Sequence, residues 1–148
     1  MDLHIRSAKM DDCPGITELS NQLGYLSSLD KVLEILDLVL THDDHQVFIV
    51  EIDNLIVGYI HLVSTMRIGS GPFVEIAALI VHKSYQKKGV GKSLISESEK
   101  WTRSKGLTDI RIRSNIIREE AHQYFQRKGF QDLKTQHVFL KQLNSSIE

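Results

Sequence analysis

Residues 86–93 read QKKGVGKS and combine two glycines with three lysines in eight positions. They follow the apolar run IAALIV at 76–81 and precede a segment with helical spacing of apolar residues. Backbone N–H groups at a helix N-terminus converge on an anion, and the helix dipole favours it. Glycines in such a turn let the backbone approach closely. The loop therefore predicts phosphate binding, although a basic surface turn has the same composition.

Two common phosphate-binding loops do not fit this segment. A nucleotide P-loop, G-x-x-x-x-G-K-[ST], ends as GKS at 91–93 does, but it requires a glycine where Gln86 stands. A dinucleotide turn, G-x-G-x-x-G, begins well at Gly89 and fails at Leu94, where a third glycine allows close helix packing. A third pattern, Q-x-x-G-x-G, fits 86–91 at every position.

Apolar periodicity divides the chain into the strands and helices that position this loop. The Asp53-Asn54 pair predicts a hairpin turn, and MRIGSGPF at 66–73 predicts a loop. The order β-α-α-β-β-β-α-β-α-β indicates one α/β (α+β) domain spanning 1–148. The predicted strands are 3–8, 46–52, 56–63, 74–82, 109–115 and 137–143, and the predicted helices are 11–24, 29–40, 90–106 and 119–130.

Two motifs at a wide separation carry a family resemblance. The run L-x-V-x-x-x-x-Q-x-x-G-x-G covers 79–91, and A-H-x-x-[YF]-x-x-x-G-F covers 121–130. With the element order, they make the chain resemble the GNAT superfamily of acyl-CoA N-acyltransferases over nearly its whole length. The resemblance implies a mixed, mostly antiparallel central sheet of about six or seven strands flanked by about four helices.

The same resemblance implies the reaction and the cofactor contacts. The enzyme would move an acetyl group from the co-substrate acetyl-CoA directly to a primary amine, on a small molecule rather than a protein, within a ternary complex. The loop would bind the pyrophosphate of coenzyme A, and the preceding strand would bind the pantetheine arm as an added strand. Asn115 is either a cofactor contact or a cap or turn residue. The implied cofactor-binding residues are Leu79, Ile80, Val81, Gln86, Lys87, Lys88, Gly89, Val90, Gly91, Lys92 and Asn115.

Glu75 is the candidate general base. Acyl transfer requires a neutral amine, and most amines are protonated at neutral pH. In similar sequences a carboxylate often acts from this position. Strand alternation predicts that Glu75 shares a face with Ala77, Leu79 and Val81. A carboxylate that begins an apolar strand is paired, solvated or functional.

The general acid departs from the family pattern. Similar sequences carry a tyrosine four residues after the alanine of the second motif, but Phe125 stands there, and Tyr124 precedes it. Neighbouring helix positions differ by about 100° in direction. Tyr124 is therefore the candidate acid only if the helix is rotated or shifted. Otherwise water or the new ammonium protonates the thiolate, and both aromatic residues are core residues.

Composition excludes several other classes. The formal net charge is −1 and the pI is near 6.7, so nothing indicates bulk binding to nucleic acid or to an anionic membrane. A single cysteine, Cys13, allows no internal disulfide or thiolate metal site, and the seven histidines lack metal-ligand spacing. The cysteine count and the histidine spacing therefore predict that no metal is bound. No apolar leader or membrane span is evident, which predicts a cytoplasmic protein. A homodimer is compatible with the family analogy, although no segment specifies one.

The acceptor and the class of protein are the open questions. Acidic residues at 30–44 either attract a cationic amine or form a solvated helix face. Because Phe125 replaces the usual tyrosine, a non-catalytic acyl-CoA sensor or interaction module is the alternative function. Acetyl-CoA binding without turnover would distinguish that module from an enzyme.

Overall fold

The computed structural model describes residues 2–113 and 119–144. The chain divides into two compact units, Met1–Arg113 and Ser114–Glu148. That both belong to one domain, as the sequence predicts, stays a prediction. None of the helices within the described ranges is long and apolar enough to cross a membrane.

The first unit contains five strands and three α-helices among its described residues. Short 3₁₀ turns at Met10–Asp12 and Lys83–Tyr85 precede α1 and the phosphate-loop candidate, respectively. In chain order the elements are β1 (His4–Ser7), α1 (Cys13–Gln22), α2 (Leu29–Leu40), β2 (His45–Ile52), β3 (Leu55–Arg67), β4 (Gly71–Val81), α3 (Val90–Ser104) and β5 (Ile110–Ile112).

Local sequence signals account for the best-predicted elements. The helix predicted over 29–40 has those bounds, and the Ser28 side chain caps it by accepting a hydrogen bond from the Lys31 amide at 3.1 Å. The predicted hairpin turn is also confirmed. Asp53 and Asn54 have φ values of 51° and 64°, the positive values that a tight two-residue hairpin requires.

One five-stranded sheet runs in the order β1-β2-β3-β4-β5. From β1 to β4, each strand pairs antiparallel with the next strand along the chain, and β5 pairs parallel with β4. The family-derived expectation of a mixed, mostly antiparallel sheet is confirmed, with five strands instead of six or seven among the described residues. The parallel pairing is short, because β5 contacts only 74–76 of β4.

Helices pack on both faces of this sheet. Tyr59 and Ile49 are opposite one another on β3 and β2 and belong to the face covered by α1 and α2. The neighbouring residue Gly58 points the other way, where Val90 and Leu94 of α3 lie against it. The start of α3, and hence the loop before it, is therefore fixed by core packing.

The predicted loop at 66–73 is too long. Strand β3 continues to Arg67 and β4 begins at Gly71, so only residues 68–70 connect them. Gly71 adopts a φ of 76°, and Pro72 sits near the beginning of its strand, a position in which proline is tolerated. Glycine and proline therefore mark the start of a strand here instead of excluding one.

The second unit contains α4 (Glu119–Arg127), and Gly129, with a φ of 91°, ends its last turn. The strand predicted over 137–143 is wrong, because residues 131–144 carry no helix or strand and are exposed. A strand forms only where another strand completes its hydrogen bonds. No described strand pairs with this segment, so its β-branched and aromatic residues are not enough to make it a strand.

Candidate active site

The glycine-bearing loop joins β4 to α3 through two left-handed residues. Lys87 has a φ of 62° and Gly89 a φ of 87°. Gly89 is the N-cap residue and offers no side-chain cap, and the Ser93 amide donates to its carbonyl at 3.0 Å. The amides of the first turn, at 90–92, have no carbonyl partner within the helix. The loop therefore has the geometry of an anion site.

The charges of the loop face solvent. Gln86, Lys87, Lys88 and Lys92 are exposed, whereas Val90 is buried at 1% exposure and anchors the helix. The Lys88 ammonium lies 5.5 Å from the centre of the Tyr85 ring, which holds it near the loop. A methyl group at Gly89 would meet only a Leu3 carbon at 3.9 Å, so its φ, not the available space, requires glycine there.

One edge of β4 is open beside this loop. Beyond Ile76, no strand among the described residues pairs with the side of β4 that faces β5. Val81 is opposite Gly58, and the next amide, of His82, donates to the Val57 carbonyl at 2.8 Å. In the alternating antiparallel ladder, the N–H and C=O groups of Val81 therefore point away from β3.

The same alternation applies two residues earlier. Leu79 is opposite Ile60, and its N–H and C=O groups also point to the open edge, whereas those of Ile80 point to Tyr59 on β3. The open edge, defined as 77–81 of β4, thus presents two full sets of backbone donors and acceptors. It leads along the strand towards the N-terminus of α3.

The predicted face of Glu75 is wrong, and a β-bulge is the reason. His61 is opposite Ala78 and the next residue, Leu62, is opposite Ile76, which leaves Ala77 without a partner. The extra residue reverses the alternation. Glu75 therefore shares a face with Ala78 and Ile80, towards α1 and α2, and not with Leu79 and Val81.

Glu75 itself is half-buried and paired. Its side chain is 25% exposed, and its Oε1 lies 3.4 Å from Nη2 of Arg113. Sequence reasoning missed Arg113, because the pairing joins β4 to the end of β5 across the sheet. The pairing with Arg113 orients the Glu75 carboxylate, which a base acting through water requires.

Two histidines on the same face also escaped sequence reasoning. His45 is opposite Val63, which is opposite Glu75 in the next strand. His45 Nδ1 lies 2.9 Å from His61 Nε2, and the two rings stack. Burial, and then the neighbouring His45, lower the pKa of His61 to about 4, so His61 is neutral at physiological pH. Only the strand register brings these residues together.

The loop is tied to the end of α1. The Gln22 amide group contacts His82 Nε2 at 3.2 Å, and its oxygen accepts a hydrogen bond from the Lys83 amide at 3.2 Å. The His82 Nδ1 atom accepts from the Ser84 amide at 3.0 Å. These contacts fix where the chain leaves β4. A small cleft beside them is lined by Gly15, Glu18, Leu19, Gln22, Leu55, Ile56 and His82.

Tyr124 lies on α4 of the second unit. Its ring contacts Phe125 edge-on at 5.6 Å, and the Lys128 ammonium lies 5.5 Å from the ring centre. Burial raises the pKa of the Tyr124 phenol, with Arg127 opposing the shift, so the hydroxyl stays protonated at neutral pH. The other predicted residue from this part of the chain, Asn115, lies outside the described residues.

A metal site is not evident. Within residues 2–113 and 119–144, no three histidine, cysteine or acidic side chains are grouped so that they could hold a metal ion. The lone Cys13 is buried and contacts Thr17 and the Leu29 carbonyl.

Comparison with known proteins agrees with this geometry. The family model described as acetyltransferase (GNAT) family matches residues 15–130. No curated protein matches the chain in sequence.

Solved structures match the fold over nearly the whole chain. The structure of AAC(6')-Iy has a TM-score of 0.87 at 20% identity, covering 97% of this chain and 100% of that one. AAC(6')-Ih from Acinetobacter baumannii, an aminoglycoside 6'-N-acetyltransferase, has a TM-score of 0.85 at 15% identity, covering 97% and 100%. An acetyltransferase from Trypanosoma brucei has a TM-score of 0.80 at 23% identity, covering 95% and 100%.

At such identities the structures establish the fold, and the family model establishes the family. Enzymes that use acyl-CoA must bind a pyrophosphate and an amide-bearing arm. A turn with free amides at a helix N-terminus, beside an open strand edge, suits both. The chain belongs to the acetyltransferase (GNAT) family and is an acyltransferase.

Proposed function

We propose that the protein transfers an acetyl group from acetyl-CoA directly to the primary amine of a small molecule, within a ternary complex. The observation that carries the proposal is the open edge of β4 at 77–81, which leads to the N-terminus of α3. An extended arm bearing amides and ending in a pyrophosphate fits both features at once.

The loop would hold the pyrophosphate. First-turn amides of Val90, Gly91 and Lys92 donate to its oxygens, and the α3 dipole favours the negative charge. Lys87 and Lys88 add positive charge without fixed contacts, and Gln86 shapes the turn. Exposure of these lysines suits a ligand that lies on the surface.

The strand edge would hold the pantetheine arm. Leu79 and Val81 each offer an N–H and a C=O to an added strand, while Ile80 packs its side chain and keeps its hydrogen bonds to β3. Backbone N–H groups near Val81 would also polarise the thioester oxygen.

Glu75 would act as the base, through water. It removes a proton from the ammonium, and the neutral nitrogen attacks the thioester carbon. As the carbon–nitrogen bond forms, the carbon–sulfur bond breaks, and the thiolate leaves. Tyr124, whose phenol is protonated at neutral pH, is the proposed proton donor to that thiolate. The extra proton on the new amide nitrogen leaves to water, and solvent returns a proton to the Tyr124 phenolate. Asn115 remains a proposed cofactor contact.

The solved structures support a small acceptor. AAC(6')-Iy is bound in one structure to the bisubstrate analogue CoA-S-monomethyl-acetylneamine and in another to CoA. Each of these ligands includes coenzyme A, and the analogue joins it to a small amine. This agrees with a ternary complex and with a small-molecule amine as the acceptor.

A homodimer and a cytoplasmic location complete the proposal. The exposed fractions of Val138, Phe139, Leu140 and Leu143 are 88%, 91%, 81% and 81%, which a second copy could cover. The free thiol of Cys13 suits the reducing cytoplasm. Sedimentation equilibrium of the wild type and a Phe139→Ser variant tests the dimer, and a monomeric wild type contradicts it.

The first test of the function is ligand selectivity. Thermal denaturation with acetyl-CoA, CoA, ATP and NADPH at equal concentration should show stabilisation by the two CoA species alone. A ligand at 100 times its dissociation constant adds about 2.7 kcal/mol. Stabilisation by ATP, or by none of the four, contradicts the proposal.

The second test is turnover. Thiol release with a panel of primary amines should be lower by roughly 100-fold in Glu75→Gln, the scale of a lost general base. Glu99→Gln, on α3, is the matched control and should behave as the wild type. If Glu75→Gln retains full activity at every pH, the base role is wrong. If Tyr124→Phe retains it, water or the product ammonium protonates the thiolate.

A further inference from the structure

Two arginines lie over one phenylalanine ring beside Glu75. The guanidinium carbon of Arg111 is 4.3 Å from the centre of the Phe73 ring, and that of Arg67 is 5.4 Å from it. Phe73 is buried at 1% exposure. Both distances are within the range of a cation–π contact, so the ring restricts where each guanidinium group lies.

These residues occupy the same sheet face as the proposed base. Phe73 precedes Glu75 by two residues in β4, so both side chains point the same way. Arg111 is the partner of Glu75 in the parallel pairing with β5. Arg67 is at the end of β3, opposite Gly71.

The positive charge of this group is not balanced. The Glu75 carboxylate pairs with Arg113. Within the described ranges, neither Arg67 nor Arg111 forms an ion pair with a carboxylate. Among the described residues, the one carboxylate of this group therefore pairs with one of its three guanidinium groups.

Guanidinium groups fit oxyanions. Each offers a fork of N–H donors that matches a carboxylate or a phosphate, and charge-assisted hydrogen bonds of this kind are among the strong ones. A guanidinium group held against a ring loses less entropy when it binds, because its position is already restricted. Two such groups that pair with no carboxylate among the described residues are equipped to bind an anion of a ligand.

The spacing relates this subsite to the acceptor amine. Phe73 and Glu75 are two residues apart on β4, so their Cα atoms are separated by roughly 6.6 Å along the strand. Across the sheet, Arg111 is one strand spacing from Glu75, roughly 4.8 Å. A molecule whose amine reaches Glu75 therefore presents a group a few bonds away to the guanidiniums.

We propose that Arg67 and Arg111, held over Phe73, bind an anionic group of the acceptor. The acceptor is then a primary amine that carries a carboxylate, phosphate or phosphonate on a short linker. This inference rests on the proposed function. It also disfavours polycationic amines, which three guanidinium groups would repel.

The test compares acceptors that differ in charge and little in size. We suggest 3-aminopropylphosphonate and β-alanine as the anionic amines, β-alaninamide as the neutral amine, and an aminoglycoside as the polycation. Thiol release at saturating acetyl-CoA gives kcat/KM for each. The two anionic arms also separate a phosphonate site from a carboxylate site.

The expected result is selectivity for an anionic amine that depends on the arginines. The ratio of kcat/KM for the preferred anionic amine over β-alaninamide should fall by roughly tenfold to a hundredfold in Arg111→Gln, the scale of a lost charged hydrogen bond. Arg67→Gln should lower the same ratio. Arg103→Gln, an exposed arginine on α3, is the matched control and should leave it unchanged. Melting temperatures check that each variant folds.

Several outcomes contradict this inference and leave the proposed function unaffected. Equal kcat/KM for anionic and neutral amines, a preference for the aminoglycoside, or an unchanged ratio in both arginine variants each contradict it. If no amine is acetylated, the proposed function fails, and calorimetry decides the subsite separately. In that case 3-aminopropylphosphonate or β-alanine must bind the wild type more tightly than Arg111→Gln, or the inference is wrong.

Discussion

Gly58 should be intolerant of even one added methyl group. A Cβ atom built there lies 2.6 Å from Cγ1 of Val90, 3.3 Å from Cδ1 of Leu94 and 3.2 Å from the Ile80 carbonyl oxygen. Val90 and Leu94 are fully buried, at 1% and 0% exposure, so they have no room to withdraw. The methyl group must push the start of α3 away from the sheet.

The cost can be estimated from its parts. Overpacking a well-packed core costs about 1–3 kcal/mol, and replacing glycine by alanine inside a strand returns roughly 0.5–1 kcal/mol. Gly58→Ala should therefore destabilise the protein by about 1–2 kcal/mol, which is roughly 2–8 °C in melting temperature for a chain of this size. Because Val90 begins α3, the loop amides should move too, and acetyl-CoA should bind several-fold more weakly.

Thermal denaturation and calorimetry with acetyl-CoA measure both effects. Gly69→Ala is the matched control, because a Cβ atom at Gly69 meets nothing within 4 Å and its φ is not positive. The control should melt and bind as the wild type does. If Gly58→Ala equals the control in both assays, the packing of α3 on β3 does not position the loop, and the reasoning is refuted.

Three further predictions follow from single sites. Gly89→Ala forces a residue with a side chain to adopt a φ of 87°, which costs about 1–2 kcal/mol. The affinity for acetyl-CoA, measured by calorimetry, should fall more than tenfold. An unchanged affinity would contradict the anion-site geometry. Asp12 accepts two hydrogen bonds of 2.8 Å from Arg6, which lowers the pKa of that carboxyl, so its stabilisation is present above pH 4 and is lost as the pH falls further. Urea denaturation of Asp12→Asn at pH 7 should show a loss of about 1.5–3 kcal/mol, and no loss would show that the pair is merely tolerated. Because the pKa of His61 is lowered to about 4, its contribution to stability is full above pH 6.5. The free energy of unfolding should fall by roughly 3 kcal/mol at most as the pH drops from 6.5 to 4. Urea denaturation of His61→Gln should not show this fall, and an equal fall in the variant would assign the pH dependence to other groups.

Local features were predictable from the sequence. The helix at 29–40, the Asp53-Asn54 turn and the strand–loop–helix arrangement around 86–91 depend on short-range signals such as a cap, a turn pair and glycines in a basic turn. These signals act over a few residues, so they can be recognised from neighbouring positions in the sequence. The fold class followed from their order.

Features that depend on strand register were not predictable. Alternation assigned Glu75 to one face, and the unpaired Ala77 moved it to the other. The guanidinium groups over Phe73 and the His45–His61 pair arise between strands far apart in the chain. No local pattern marks a bulge or an inter-strand contact, and the apolar pattern at 137–143 likewise could not show whether a partner strand exists.

Hydrogen exchange at the open edge of β4 tests the central claim most directly. The amides of Leu79 and Val81 point away from β3, whereas the amide of Ile80 is already bound to it. If acetyl-CoA adds to this edge as a strand, exchange measured by NMR should slow at Leu79 and Val81 when acetyl-CoA is added, with little change at Ile80. Saturating acetyl-CoA that leaves Leu79 and Val81 unprotected would contradict the assignment of this edge as the cofactor site.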